Sequence, residues 1–198
     1  MVIRKACVKD IVRVVEIHCS AFDNFFLTSL GPDFLHLYYR AYLQCPEALL
    51  LCAEEKGEVL GFSAATTNAV GFNTRLIKTN LIGFMRVGVK LVFTRPMALL
   101  RLLRNLTKQD DNKQDDGSYA ELYSIGVHQQ AQRMGLGRAL LIETESRFAQ
   151  ESVQRLSLTT DAEDNDATQA FYQAMGYSLM YAFTAYPNRK MLRLIKQL

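Results

Sequence analysis

The stretch that decides the fold reads YAELYSIGVHQQAQRMGLGRALL, residues 119–141. It starts with alternating side chains typical of a strand at 119–127, and it passes through Gly135 and Gly137 into a helix predicted from about residue 134 to residue 150. Glycine lets the backbone approach a ligand closely, and the first turn of a helix offers unpaired N–H groups and the positive end of the dipole. Strand, glycine turn and helix together predict a site for a pyrophosphate group.

The rest of the chain places further strands and helices around this unit. Upstream, the patterns predict a strand within 1–8, helices after Asp10 and after Pro32, and a hairpin of strands at 48–54 and 58–67. Downstream, they predict a strand at 156–160, a helix at 166–175 and two final strands at 177–186 and 190–197. This order predicts an α/β (α+β) fold, with a mixed sheet between helices, in a single domain over residues 1–198.

Composition excludes several classes of protein. The chain has 198 residues, of which 49% are hydrophobic and 22% charged, so a disordered or fibrous protein is excluded. The formal net charge of +3 is small, whereas a nucleic-acid binder normally carries a larger or more clustered excess. We therefore expect no nucleic-acid partner.

The cysteines and histidines do not indicate a metal site. No pair has the spacing of metal ligands, so we expect no metal and reduced thiols in the four cysteines, Cys7, Cys19, Cys45 and Cys52. His18, His36 and His128 lie far from any second ligand in the sequence.

The sequence predicts a cytoplasmic protein. The first ten residues lack the apolar core of a secretory signal. The most apolar stretch, residues 81–93, is interrupted by Arg86 and Lys90, which argues against a membrane-spanning helix.

Two spaced motifs resemble the Gcn5-related N-acetyltransferase (GNAT) family. One is the pattern Gln132-x-x-Gly135-x-Gly137 after a strand, and the other is Asn165 seven residues before Tyr172. The resemblance implies that the strands predicted at 119–127 and 156–160 splay apart, with the co-substrate acetyl-coenzyme A (acetyl-CoA) between them.

The resemblance also implies which residues bind acetyl-CoA. Pantetheine would bond to the backbone of 124–127, and the pyrophosphate would lie on the amides of 133–138. The implied binding residues are Ile125, Gly126, Val127, Gln132, Arg133, Met134, Gly135, Leu136, Gly137, Arg138 and Asn165. Arg133 and Arg138 could equally be helix charges that face solvent, and Asn165 could cap the helix that follows it.

The family's reaction, direct attack of an amine on a thioester, implies roles for two further residues. Tyr172 matches the position of the general acid, and a phenol is suitable because its ordinary pKa near 10 keeps it protonated; it could also be a core aromatic residue. A backbone N–H near 125–127 would stabilise the oxyanion.

Glu121 matches the catalytic base that some family members carry. Strand alternation would place Glu121, Tyr123 and Ile125 on one face of the sheet. A charge in a central strand needs a reason, which could be a water chain to the amine or an ion pair with an arginine on a helix.

Residues 71–118 are an insert relative to the family pattern. From residue 71 to residue 109 there is no acidic side chain, but there are eight Lys and Arg residues. The sequence predicts two basic amphipathic helices, the second starting after Pro96; the basic residues used to define them are Arg75, Arg86, Lys90, Arg101, Arg104 and Lys108. The insert could cover the sheet, close over the acceptor, form a homodimer or rest on an anionic membrane or polyanion.

We therefore expect an acetyl-CoA-dependent N-acetyltransferase that acts on the primary amine of a small molecule or peptide. The aromatic loop at 22–27, which could line the acceptor or plug the core, and the basic insert favour an anionic amino sugar linked to a nucleotide. The alternatives are an acyl-CoA-binding module without turnover and a peripheral membrane or polyanion-binding protein that acts through the insert.

Overall fold

The structure, a computed structural model, describes residues 1–23, 25–100, 115–185 and 188–198. Its seven strands are β1 (Val2–Lys5), β2 (Ala48–Glu55), β3 (Glu58–Thr66), β4 (Ala120–Val127), β5 (Arg155–Asp161), β6 (Ser178–Ala185) and β7 (Arg189–Gln197). They form one sheet with the spatial order β1-β2-β3-β4-β5-β7-β6. Only β4 and β5 pair in parallel, so the predicted mixed sheet is confirmed.

Helices cover both faces of this sheet. They are α1 (Ile11–Ala21), α2 (Phe26–Ser29), α3 (Pro32–Tyr42), α4 (Phe72–Thr79), α5 (Leu81–Thr94), α6 (from residue 96, described to residue 100), α7 (Leu136–Gln150) and α8 (Asp166–Ala174). One core lies between the sheet and α1, α3, α4 and α5, and a second core lies under α7 and α8. Among the described residues, no helix is long and apolar enough to cross a membrane.

An extra residue in β4 changes which side chains face each core. Ala64 of β3 lies opposite Ser124, but its neighbour Ala65 lies opposite Leu122, so Tyr123 has no partner of its own in β3. Ile125 therefore packs under α7, while Tyr123 packs on the other face with α1 and α3. The expectation that Glu121, Tyr123 and Ile125 share one face is wrong for Ile125, because the bulge reverses the alternation.

The insert also differs from its sequence prediction. The first predicted helix is divided at Asn80, whose side chain accepts a hydrogen bond from the Gly83 N–H at 3.0 Å, so Arg75 and Arg86 lie on different helices. The inner faces of α4 and α5 are buried against the rest of the domain through Phe72, Leu76, Phe84 and Leu91. The predictions for Arg101, Arg104 and Lys108 lie outside the described residues.

Candidate active site

A cleft opens where β4 and β5 separate. The two strands pair over three positions, and the last pair is Leu122 with Leu158. Beyond it they diverge around a cleft of about 900 Å³. The splay expected between these strands is therefore present, and it leaves the later part of β4 unpaired on its β5 side.

Two N–H groups of β4 point into this cleft. The His128 N–H donates to the Leu60 carbonyl of β3 at 2.8 Å. Because successive residues of a strand direct their backbone groups to opposite sides, the N–H groups of Val127 and Ile125 point away from β3, toward the cleft. Gly126 instead packs closely on Phe62, whose ring would lie 2.9 Å from a Cβ added at this glycine.

The turn from β4 into α7 leaves its backbone open. Arg133 and Gly135 have positive φ angles of 64° and 81°, a conformation that turns the chain sharply into the helix. A Cβ added at Gly135 would meet nothing within 4 Å, and one at Gly137 would meet only Val127, at 3.9 Å. A ligand can thus approach the first N–H groups of α7 without contact with a side chain.

Most of the predicted cofactor-binding residues come together at this cleft. Those that line it are Ile125, Val127, Gln132, Arg133, Gly135, Leu136, Gly137, Arg138 and Asn165. Gly126 and Met134 are outside the lining, and Met134 is exposed to solvent.

Asn165 binds the end of β5 and does not cap α8 with its side chain. It occupies the N-cap position of α8, but the side chain makes no capping bond. Its Nδ2 donates to Thr160 Oγ1 at 2.7 Å and to the Asp161 carbonyl at 3.3 Å. Asn165 therefore occupies the predicted capping position, but its side chain makes bonds to the end of β5 and none to an N–H of α8.

Tyr172 lies on α8 and lines the cleft. Its ring contacts those of Phe171 and Tyr177, and only 7% of the residue is exposed. Burial raises the pKa of its hydroxyl, so the phenol stays protonated at neutral pH. Within the described part of the chain, no protein group is hydrogen-bonded to this hydroxyl, which leaves its proton for a ligand.

Glu121 lies outside the cleft lining and is held by Arg193 of β7. Glu121 Oε1 lies 3.0 Å from Arg193 Nη1, and both residues are buried. The same guanidinium bonds to Ser157 and Tyr181, and Tyr181 donates to Asp115 at 2.5 Å. The role of Glu121 as catalytic base stays a prediction; the structure shows that its carboxylate stabilises a buried arginine.

Aromatic side chains line the end of the cleft that faces α1 and α2. Phe22, Phe25 and Phe26 belong to the lining, so this loop contributes a wall to the cleft as well as contacts with the core. The Arg189 guanidinium lies 4.4 Å from the centre of the Phe25 ring and forms an ion pair with Asp161. The residue at position 24 lies outside the described ranges.

His18, which the sequence left without a role, lies in the same wall. Its Nδ1 is 2.7 Å from the Tyr39 hydroxyl, and burial lowers its pKa to about 4, so the ring is neutral. Within the described residues its buried Nε2 has no hydrogen-bond partner. Nothing in the sequence marked this residue, because its partner is 21 positions away.

The chain belongs to the GNAT acetyltransferase family, because the sequence profile of this family matches residues 12–177. Members of this family are acetyltransferases that use acetyl-CoA.

The comparisons with individual proteins agree with this family. A mycothiol acetyltransferase from Kocuria rhizophila is 34% identical over 80 residues, which cover 40% of this chain; the match spans only 26% of that relative's length. A ribosomal-protein-alanine N-acetyltransferase from Brucella melitensis aligns with a TM-score of 0.65 at 16% identity and full coverage of both chains. A PaiA N-acetyltransferase from Thermoplasma acidophilum, solved with coenzyme A, aligns with a TM-score of 0.61 at 12% identity, covering 100% of this chain and 98% of that one.

Proposed function

We propose that this protein transfers an acetyl group directly from acetyl-CoA to a primary amine of a small molecule, and that both meet in the cleft between β4 and β5. The observation that carries the proposal is the unpaired part of β4 beside an open glycine turn. An extended pantetheine can bond to such a strand edge, and a pyrophosphate can bond to the helix N-terminus beyond it.

The residues of the cleft fit acetyl-CoA. Ile125 and Val127 would hold pantetheine through their backbone N–H groups. The amides of 133–138 would bind the pyrophosphate, with Arg133 and Arg138 adding positive charge beside it. When bound, acetyl-CoA supplies an acetyl thioester that a neutral amine can attack.

Tyr172 is the acid in this proposal. As the amine nitrogen bonds to the carbonyl carbon and the carbon–sulfur bond breaks, the Tyr172 hydroxyl gives its proton to the departing thiolate. A backbone N–H of Ile125 or Val127 stabilises the negative charge that develops on the carbonyl oxygen.

The amine must also lose a proton. Glu121 is the candidate that the sequence indicates, but its carboxylate is bound to Arg193 and lies outside the cleft lining. We therefore propose that water in the cleft, next to the neutral ring of His18, accepts the proton and that a proton returns from this water to the Tyr172 phenolate, which restores the phenol. Neutral imidazole can accept or donate one hydrogen bond at Nε2, which suits it to orient that water or the amine.

For the acceptor, we propose an amino sugar carried by a nucleotide. The aromatic wall at Phe22, Phe25 and Phe26 offers flat apolar surfaces on which rings can stack. The guanidinium of Arg189, which is paired with Asp161, lies at this wall. The basic insert lies close to it because Arg95 of the insert donates to the Ser29 carbonyl of α2 at 2.6 Å.

A turnover screen tests this function. The full chain would be incubated with acetyl-CoA and, separately, nucleotide-linked amino sugars, free amino sugars, polyamines and peptides, with release of the coenzyme A thiol as the readout. We expect release that depends on an amine, strongest for the nucleotide-linked class, with acetylated product in equal amount. Binding of acetyl-CoA without amine-dependent release from any class would contradict the proposal and favour a binding module.

A further inference from the structure

The outward surface of α5 is apolar and exposed. Eight of the 17 large exposed hydrophobic side chains among the described residues lie between positions 81 and 100. Phe93 is 83% exposed and Ile82 is 66% exposed. Exposed hydrophobic residues are normally scattered, whereas a continuous patch indicates an interaction site.

Six of these side chains form one continuous face. At roughly 100° per residue they occupy an arc of about 120° around α5. We call this arc the outer apolar face: Leu81, Ile82, Met85, Val89, Val92 and Phe93. Met97 and Leu100 of α6 extend the exposed apolar surface beyond it.

Folding of the domain does not need this surface. The opposite side of α5 already packs on α3 through Phe84 and Leu91, and the Phe84 ring lies edge-on to Phe34 at 5.8 Å. A helix that has buried one face and still exposes a second apolar face has room for a partner there.

Positive charge borders the outer apolar face. Arg86 is exposed at the edge of the arc, and Lys90 lies about 40° further round, where it pairs with Asp33. No acidic residue occurs between positions 71 and 109, so no side chain of that segment could neutralise Arg86. An apolar face with basic residues along its edge is typical of helices that lie in the surface of anionic membranes.

We propose that the outer apolar face binds the surface of an anionic phospholipid membrane, with α5 in the plane of the headgroups and Arg86 beside their phosphates. A second copy of the chain is the weaker occupant, because a symmetric dimer through this face would place like charges together. The proposal concerns a surface apart from the cleft, and it does not depend on the acetyl-transfer reaction.

Co-sedimentation with vesicles tests the proposal on the full-length chain. The probes are vesicles of phosphatidylcholine alone and vesicles of phosphatidylcholine with phosphatidylglycerol. We expect sedimentation with the anionic vesicles only, and a loss of binding as salt is raised, because salt screens the headgroup charge.

Substitutions within the face sharpen this test. The double variant Ile82→Ser, Phe93→Ser should weaken vesicle binding by at least about tenfold, since both side chains would leave the interfacial region. Arg86→Gln should weaken it by about fivefold, the usual effect of one basic residue near an anionic surface. The matched controls are Leu179→Ser, an equally exposed apolar residue on β6, and Lys9→Gln, an exposed basic residue; both should bind as the parent does.

Several outcomes would overturn the proposal. Equal binding to both kinds of vesicle, or binding that the face variants leave unchanged, would show that this surface is not what the lipid contacts. No binding to either kind, together with a dimer in sedimentation velocity that Phe93→Ser dissociates, would assign the face to a second copy. Melting temperatures of the variants, compared with that of the parent, separate lost binding from lost folding.

Discussion

Within β4, residues 120–122 pair with β5, whereas residues 123–127 do not. At the paired end the polar groups are satisfied by protein, since Glu121 meets Arg193 and Asp115 accepts from two tyrosines. At the open end, several polar groups lack a partner within the described residues: the N–H groups of β4 that face the cleft, the first turn of α7 and the buried Nε2 of His18. One strand thus combines a closed, structural end with an end prepared for a ligand, and substitutions at the two ends should have different consequences.

The largest effect is expected from a side chain in the open turn. Gly137→Val should lower the affinity for acetyl-CoA by more than about 100-fold, because the side chain blocks several charge-assisted bonds to the pyrophosphate. The fold tolerates a Cβ here, so the melting temperature should change little. Isothermal titration calorimetry measures the affinity.

Gly88→Val is the control for this prediction. Gly88 is also within a helix, and a Cβ there would meet nothing within 4 Å. Unchanged acetyl-CoA affinity in a folded Gly137→Val protein would place the pyrophosphate elsewhere.

Tyr172→Phe should act on turnover and leave binding nearly intact. Removal of the hydroxyl takes away the proposed proton donor but little packing, so kcat should fall by about 100-fold while acetyl-CoA affinity stays within a few fold. Steady-state thiol release measures kcat, and calorimetry measures the affinity for acetyl-CoA. Tyr177→Phe, which changes a neighbouring buried ring outside the cleft lining, should keep normal turnover; equal activity of the Tyr172 variant and the parent would remove Tyr172 from the mechanism.

His18, at the open end, should make the free energy of unfolding of the protein depend on pH. Its pKa is about 4 in the folded protein against 6.5 for an exposed histidine, so as the pH falls below about 6.5 the unfolded chain binds a proton that the folded chain does not. The free energy of unfolding should therefore drop by about 1 kcal/mol per pH unit toward about pH 4 on account of this group.

Denaturant unfolding across this pH range tests the contribution of His18. His18→Gln should flatten the dependence, whereas His36→Gln, a half-buried site outside the cleft lining, should leave it as in the parent. If His18→Gln and the parent have parallel curves, the imidazole is not kept neutral by burial.

The smallest effect is expected at the closed end. Glu121→Gln leaves Arg193 with Asp115 at 3.7 Å and should cost about 2 kcal/mol of unfolding free energy, with kcat within a few fold of the parent. Glu145→Gln, another buried carboxylate with a cationic partner, is the matched control for stability. A fall in kcat of about 100-fold with an altered pH profile would instead restore Glu121 as the base.

The sequence predicted the order of most strands and helices because their signals are local, whereas the splay of β4 and β5 around the cleft was implied by the resemblance to the GNAT family. Alternation, helical periodicity and the pair Gly135 and Gly137 are all read within a few residues. The division of the insert at Asn80 was missed because this polar residue fits a helical stripe as well as a cap.

The contacts that the sequence could not predict join distant positions. Glu121 and Arg193 are 72 residues apart, and His18 meets Tyr39 only because α1 and α3 pack together. The bulge at Tyr123 was hidden for another reason: a strand with one extra residue looks as regular in sequence as a strand without it.

Because of that bulge, β4 has one residue more than the part of β3 with which it pairs. Deletion of Tyr123 would restore a regular ladder with β3, in which Leu122 keeps Ala65 and Ser124 keeps Ala64 as partners, and it would remove only the side chain that the bulge adds to the face under α1 and α3. If residues 119–141 were transplanted into another sheet, the neighbouring strand would therefore have to accommodate the extra residue of the bulge. In an alignment of related sequences, a one-residue gap at position 123 would therefore indicate that the bulge is absent, while the other side chains of β4 keep their faces.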